Sequence, residues 1–378
     1  MTTEFLTKYA CGDTIKDAMF PPLTHAVRLA YGRRVPQLGQ AAVMSQTGLF
    51  HRASVDSTGK IPPPKPAGKD DITACVFNIE RGETLPELIA LLTEHPFFKE
   101  VDIILANELD YGCQRSGNYD VSCMIGQALN YYEVYALEFM ELTNSNDLRG
   151  YHGNSIFSRW PIRSAKVIHL PEQYNWYDDA KQIRVGGRNA ILAMIDTPKG
   201  TVGAVSTHFE NRTDGAGRTA QMKYLFRKMS AYFPPDMPVI VGGDFNTNGF
   251  DGRDPLAKQA AWENQRAGGF LGELVKQEEL FKIAKKHGYR WKETSKMAWS
   301  TRRVHLADDG TKAKDKHHSN ILELHLDWLF ARGLTPQDCD ILETTLEAIR
   351  SDCGHPLLQK SKLYEVSDHN IVWASYNI

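Results

Sequence analysis

The sequence predicts a layered α/β protein whose sheets are sandwiched between helices. Two observations carry that reading. Downstream of residue 71, segments of strand composition alternate with segments of helical spacing. Several of the apolar strands also end in a polar residue that a core would not accept unpaired. The chain of 378 residues can hold one large domain or two ordinary ones. Its formal charge of −2 gives no broad positive footprint for a polyanion. A bound metal could still supply positive charge locally. No apolar run approaches the roughly 18–20 residues that cross a bilayer, and the first twenty residues lack a basic segment followed by an apolar one. The default expectation is therefore a cytoplasmic protein. The six cysteines are widely scattered and form no CxxC pair, which fits reduced, mostly buried thiols.

Taken in order, residues 1–70 read as an amino-terminal extension with some helical character near "LTHAVRLAYG". It ends in the proline-rich linker "STGKIPPPKPAGKDD", where consecutive prolines favour polyproline II. Residues 71–378 form the main domain. "ITACVFNI" and "VDIILANEL" read as strands, and "LPELIALLTE" as a helix with Pro86 tolerated in its first turn. "GNYDVSCMIGQALN" is helical. "NAILAMID" and "GTVGAVSTHFE" are strands joined by a "TPKG" turn. Met222, Leu225, Phe226 and Met229 recur at helical spacing. "MPVIVGGDFNTNG" begins as a buried strand and ends in glycines, a carboxylate and an amide. "LGELVKQEELFKIAKKHG" predicts a helix and "ADDGTKAKDKHH" an exposed loop. "ILELHLDWLF" alternates strictly as one strand, and "NIVWASYNI" closes the chain as another.

The polar strand ends form the informative pattern. They are Asn78, Asn107 with Glu108, His208, Asp244 with Asn246, Asp327, and Asp368 with His369 at the start of the last strand. A single Asp or Asn there would be a turn or cap. Six strands ending this way imply edges that converge on one rim. Carboxylates gathered so closely repel one another unless a hard divalent cation sits among them. The expected cofactor is Mg²⁺ or Mn²⁺. Asp244 and Asn246, two apart on an extended chain, share one face.

The motifs "FNIE", "LANELD", "GNSIFSRWP", "STHFEN", "GGDFNTN", "LDWLF" and "SDHNIVW", in this order, resemble the endonuclease/exonuclease/phosphatase superfamily. Longer strings such as "HFENRTDGAGRTAQM" resemble a bacterial branch of it. The resemblance implies a DNase I-like four-layer α/β/β/α sandwich, two packed, mainly antiparallel sheets flanked by helices, with the site at one end. It implies Glu108 as the metal carboxylate with Asn78 beside it, and Asp368 as a second metal-side carboxylate. Asp244 and Asn246 would orient the attacking water and a phosphate oxygen. Asp327 would hold the ring of His369, which serves as general base or as charged partner of the phosphate. His208 matches a second histidine facing the phosphate.

Other residues carry plainer readings. Asn154, Arg115 and Arg218 could contact substrate phosphate, or could brace a loop and fill salt bridges. Asn107 should point away from Glu108 and is structural. His325 is a sheet histidine, and His317 and His318 lack the context of a zinc site. The expected activity is divalent-metal-dependent phosphoester hydrolysis by in-line attack of water. The expected partner is a phosphoester substrate, nucleic acid first. "NWYDDAKQIRVGGR" and "RWKETSKMAWSTRR" offer basic and aromatic residues for it. A lipid or small-molecule phosphodiesterase or phosphatase is the alternative, for which aromatics such as Trp176, Tyr177 and Trp299 would be exposed. A catalytically inactive binding protein on the same fold is the alternative of another class.

Overall fold

The computed structural model describes residues 2–11, 14–56, 59–267, 278–297 and 300–378. Trp299 and the first part of the helix expected from Leu271 lie outside these residues. Strands β1 (Ala53–Asp56), β2 (Ile72–Arg81), β3 (Ile103–Tyr111), β4 (Tyr132–Glu141) and β5 (Tyr151–Ser158) come first. They are followed by β6 (Ile162–His169), β7 (Arg184–Gly186), β8 (Asn189–Thr197), β9 (Gly200–His208) and β10 (Val239–Asp244). The last are β11 (Arg302–Leu306), β12 (Asn320–Leu324), β13 (Asp327–Arg332), β14 (Thr335–Leu342) and β15 (Ile371–Asn377). One sheet has the order β1-β4-β5-β3-β2-β15-β14, with β7 added to β4, and the other the order β13-β10-β9-β8-β6. β11 and β12 make a separate hairpin. Pairing is antiparallel except for β2 with β3 and β9 with β10.

Side-chain alternation explains the layering. Along β2, Cys75, Phe77 and Ile79 face one apolar cluster while Ile72, Ala74 and Val76 face another. The first cluster is roofed by the helices Leu85–Glu94 and Val121–Leu129. The second lies between the sheets and receives Ile191 and Ala193 of β8, Ala204 of β9, Ile240 of β10 and Leu329 of β13. A third, beyond the second sheet, packs Val205, Val241 and Phe330 against Met222, Leu225, Phe226 and Met229 of the helix Gly215–Tyr232. Helix, sheet, sheet and helix thus form four layers. Gly242 makes the close approach of the sheets possible, since a Cβ there would press on Val76 and Leu105.

The amino-terminal segment is built into the first layer. Leu6, Phe20, Val35, Val43 and Phe50 join its core, and β1 extends the sheet by pairing with β4. Arg28, fully buried, donates to the carbonyls of Leu23, Glu141, Asn144 and Asp147. Lys16 bridges Asp120 at 2.9 Å and Glu133 at 2.6 Å.

Two sequence expectations need correction here. Cys11 and Cys123 form a disulfide linking this segment to the helix Val121–Leu129, so these two thiols are not reduced. Residues 320–332 are also two strands rather than one. Leu322, Leu324 and Leu326 pack on Trp262, whereas Trp328 and Leu329 enter the main cores, and Thr301 Oγ1 accepts the N–H groups of Leu326 and Asp327 at the break. Both halves satisfy the same alternation against different cores, so the pattern alone could not show the break.

Replacing Lys16 with Met should leave the buried Glu133 and the half-buried Asp120 without their cation and cost about 3–5 kcal/mol of stability. A drop of that size in the urea unfolding free energy is the expected result.

Candidate active site

The polar strand ends continue the face that lies between the sheets. Asn78 follows Ile72, Ala74 and Val76 at the strand period, Asp244 follows Ile240, His208 follows Val202 and Ala204, and Asp327 precedes Leu329. The inter-sheet core therefore gives way at one end to amides, carboxylates and imidazoles. Glu108 reaches this end through a bulge. Ile104 and Ala106 of β3 face the helical layer, but so do Leu109 and Tyr111, so the alternation slips by one residue between them. The ladders to β2 and β5 shift there, and Glu108 has a left-handed backbone at φ 58°.

Asp244 is the centre of the geometry. Its Oδ2 lies 3.6 Å from His208 Nε2 and 3.8 Å from His369 Nε2. Asn78 Nδ2 donates to the same oxygen at 3.2 Å and sits 3.4 Å from Glu108 Oε1. Each imidazole has a carboxylate behind it. Asp327 Oδ2 accepts from His369 Nδ1 at 2.8 Å, and Glu138 Oε2 lies 3.4 Å from His208 Nδ1. Arg188 Nη1 contacts both Glu138, at 3.1 Å, and His208 Nδ1, at 2.8 Å. Asp368 is 3.9 Å from His369 Nε2 through Oδ1, and its Oδ2 is paired with Arg302.

Burial tends to neutralise every one of these carboxyls, and their neighbours decide the outcome. At Glu108, Arg81 and the imidazoles of His152, His208 and His369 outweigh burial and hold the carboxyl well below its ordinary range. At Glu138, His208 and Arg188 do the same, bringing it to about 2. At Asp244 burial and the charge of Asp327 prevail over His369 and His208, and the carboxyl is raised. Burial would lower His369, but Asp327 overrides it and pushes the imidazole up to about 9.

Beneath the centre runs a line of buried amides. Asp244 N–H donates to Asn107 Oδ1, Asn107 Nδ2 to Asn154 Oδ1, Asn154 Nδ2 to Asn189 Oδ1, and Asn189 Nδ2 to the Leu137 carbonyl, all at 2.8–3.0 Å. Asn107 and Asn154 belong to one sheet, and Asn189 and Asp244 to the other. Gly243 lies at φ 149° over Thr207, where a Cβ would collide with the Thr207 carbonyl, so the turn into Asp244 needs glycine.

The structure brings together Asn78, Glu108, His208, Asp244, Asp327, Asp368 and His369. Asn246 lies just past the end of β10 with φ 50°, its N–H on Asp244 Oδ1 and its Nδ2 on the Phe209 carbonyl. The two-residue alternation does not reach it. The three residues read either as phosphate contacts or as internal braces have internal partners. Asn154 is fully buried with both ends of its amide spent in the amide line. Arg218 is fully buried against Glu278. Arg115 grips Asp110 at 2.6 Å and Glu141 at 3.1 Å. Trp176, expected to be exposed, is buried with the Arg184 guanidinium 3.8 Å from its ring. His325 packs on Trp328 at 4.3 Å. His317 and His318 stand in an exposed turn, and no metal-type cluster forms there among the described residues.

Sequence reasoning missed Glu138, and it named Arg188 and Arg302 only within two stretches offered to a nucleic acid. Glu138 carried a signal, a carboxylate at an inward position of an apolar strand. Arg188 and Arg302 lie in segments whose alternation says nothing about the site.

Hard-cation chemistry fits this donor set. Ligand-type atoms of Asp244, Asp327 and His369 lie within 4.8 Å of one another, and buried Asp327 Oδ1 has no hydrogen-bond donor among the described residues. Asp327 and His369 already satisfy each other, however. Glu108 takes only the Asn78 Nδ2 among the described residues, so the better place for a cation is beside Glu108 and next to Asn78, whose Oδ1 accepts the Glu80 N–H.

A profile of the Endonuclease/Exonuclease/phosphatase family matches residues 75–369. No curated protein matches the chain in sequence. Among solved structures, the endonuclease/exonuclease/phosphatase from Beutenbergia cavernae DSM 12333 is 14% identical, with a TM-score of 0.51 over 82% of this chain and 72% of that one. That from Bacteroides vulgatus is 14% identical, with a TM-score of 0.49 over 82% and 100%. The catalytic domain of human Nocturnin, with a bound sulfate anion, is 16% identical, with a TM-score of 0.48 over 86% and 97%.

His369 gains its partner on folding, so its contribution to stability is fully present below about 6.5, the ordinary imidazole value. It is lost as pH rises through about 9. Asp327→Asn should therefore destabilise most at acid and neutral pH, with the gap to wild type narrowing as pH rises between those values. Urea midpoints across the range check this, and a constant gap would contradict it.

Proposed function

The chain belongs to the Endonuclease/Exonuclease/phosphatase family, and from that premise we propose that it is a divalent-metal-dependent phosphodiesterase. Members of the family are phosphoester hydrolases, which supports the reaction class. The observation that carries the proposal is the meeting of two imidazoles and an amide on the single oxygen Asp244 Oδ2, within 3.2–3.8 Å.

Glu108 and Asn78 are the residues that would hold Mg²⁺ or Mn²⁺. Bound there, the ion would neutralise charge on the phosphate oxygens. Asp244, whose carboxyl is raised by burial and by Asp327, takes the proton of the attacking water. Asn246 has its Nδ2 occupied by Phe209, and its Oδ1 makes no hydrogen bond among the described residues. That oxygen can receive the water's other hydrogen. His369 is held protonated by Asp327 and acts as the charged partner of the phosphate rather than as a base. His208, backed by Glu138 and Arg188, faces the leaving oxygen.

Nucleic acid is the favoured substrate, supported by the partly exposed arginines Arg81, beside Glu108, and Arg302, beside Asp368. Trp176, being buried, offers no stacking face. No helix among the described residues is long and apolar enough to cross a membrane. The Cys11–Cys123 disulfide belongs with an oxidising compartment, so cytoplasmic placement is not carried into the proposal.

EDTA should abolish hydrolysis of a chromogenic diester, and Mg²⁺ or Mn²⁺ should restore it. Asp244→Ala and His369→Ala should each lower kcat by at least about 100-fold. Normal turnover in either would refute the site. A panel of single- and double-stranded DNA, RNA, sphingomyelin and inositol phosphates assigns the substrate. Release of inorganic phosphate alone would move the assignment to a phosphatase, and no turnover or metal binding at all would favour the inactive binding protein.

A further inference from the structure

The β11–β12 hairpin is inserted between β10 and β13 and stands outside both large sheets. Its first strand is fastened beside the start of β15. Arg303 N–H donates to the Asp368 carbonyl at 2.9 Å, Asn370 N–H donates to the Thr301 carbonyl at 2.7 Å, and Arg302 forms a β-bridge with His369. The Arg303 side chain pins this seat from below, donating to Glu365 at 2.6 Å and to Thr344 Oγ1 and the Ser367 carbonyl at 2.7 Å each. The seat delivers Arg302 Nη1 onto Asp368 Oδ2. The carboxylates whose charge acts on Arg302 are, in order, Asp368, Glu80, Glu108 and Asp244, which makes it a cation of the same centre. Its Nε and Nη2 make no hydrogen bond among the described residues, and the side chain is about a quarter exposed, at 25%.

The other acid on this side is treated alike. Glu80 accepts the Asp368 N–H at 3.1 Å, and Lys316, in the loop between the hairpin's strands, reaches Glu80 at 3.3 Å and Glu365 at 2.8 Å. Every acid on the Asp368 side is thus met by a cation from the insertion. The opposite side differs. Glu108 has only Arg81 at 3.9 Å, beyond hydrogen-bonding reach, and Asp244 has imidazoles at 3.6 and 3.8 Å. Like charges exclude one another at such range, so a dication near Asp368 would face a guanidinium already in place.

We propose that Arg302 is a built-in cation that takes the place of a second metal ion at Asp368, so that the centre holds one divalent ion, beside Glu108 and Asn78. The inference rests on the metal-dependent reading above. It removes Asp368 from the metal ligands expected from sequence and makes it the anchor of Arg302. Arg302 is a positioning residue, held on Asp368 by its Nη1.

The test counts ions. Mn²⁺ binding to the full chain is followed by calorimetry and by electron paramagnetic resonance, for wild type, Arg302→Ala, Arg302→Lys and Asp368→Asn. Wild type and Arg302→Lys should bind one ion per chain, and Arg302→Ala should bind two. Asp368→Asn should keep the single ion with its affinity changed less than about threefold, a shift too small for loss of a direct carboxylate ligand. Two ions in wild type, one ion in folded Arg302→Ala, or loss of the ion in Asp368→Asn would each overturn the inference. Should Arg302→Ala fail to fold, the wild-type, lysine and asparagine results decide alone. No ion in wild type would overturn the metal-dependent reading itself, an outcome distinct from all of these.

Discussion

The site depends on a row of buried amides. A backbone N–H carried between two sheets must find an acceptor there, because water is excluded and an unpaired polar group is costly. Asn107 meets this need from the first sheet by accepting the Asp244 N–H of the second, and Asn154 and Asn189 carry the line back across the gap. The row sets how the two sheets meet at that end. Asp244 is fixed where His208 of a neighbouring strand and His369 of the opposite sheet both face one of its oxygens. Loss of one amide would leave the next one buried and unpaired, so the line acts as a unit.

Charge is divided unevenly over this frame. Glu108 and Glu138 are held ionised by cations and imidazoles, while Asp244 is raised by burial and by the charge of Asp327. Groups whose surroundings push their titration apart can take different parts in one reaction. In the proposed reaction the raised carboxyl would be the proton acceptor, and the imidazolium locked to Asp327 the fixed positive charge. Both imidazoles are oriented from behind by a carboxylate, so each presents Nε2 to Asp244 without needing to search for its rotamer.

Much of this was legible in the chain. The polar ends of β2, β9, β10 and β13 pointed Asn78, His208, Asp244 and Asp327 to one rim, and the two-residue period of each strand carries them onto the face between the sheets. Glu108 was legible as a polar strand end and through its motif but not from the two-residue period, since a bulge breaks that period between Ala106 and Leu109. Asn246 follows the end of its strand, where periodicity no longer applies. Asn154 and Arg218 looked available because a sequence does not say which polar residues are spent on one another inside the protein. The disulfide joins residues 112 positions apart, a pairing that spacing alone cannot reveal. The extension before the proline-rich stretch showed only some helical character in the sequence, because Lys16 and Arg28 each find their partners far along the chain.

The central claim is that acids and imidazoles from both sheets form one centre that grips a cation on the Glu108 side of Asp244. Anomalous diffraction from crystals soaked in Mn²⁺ tests it most directly. A single peak bonded to Glu108 and next to Asn78 is the result expected. A peak bonded to Asp327 and His369, or none near Asp244, would contradict the account.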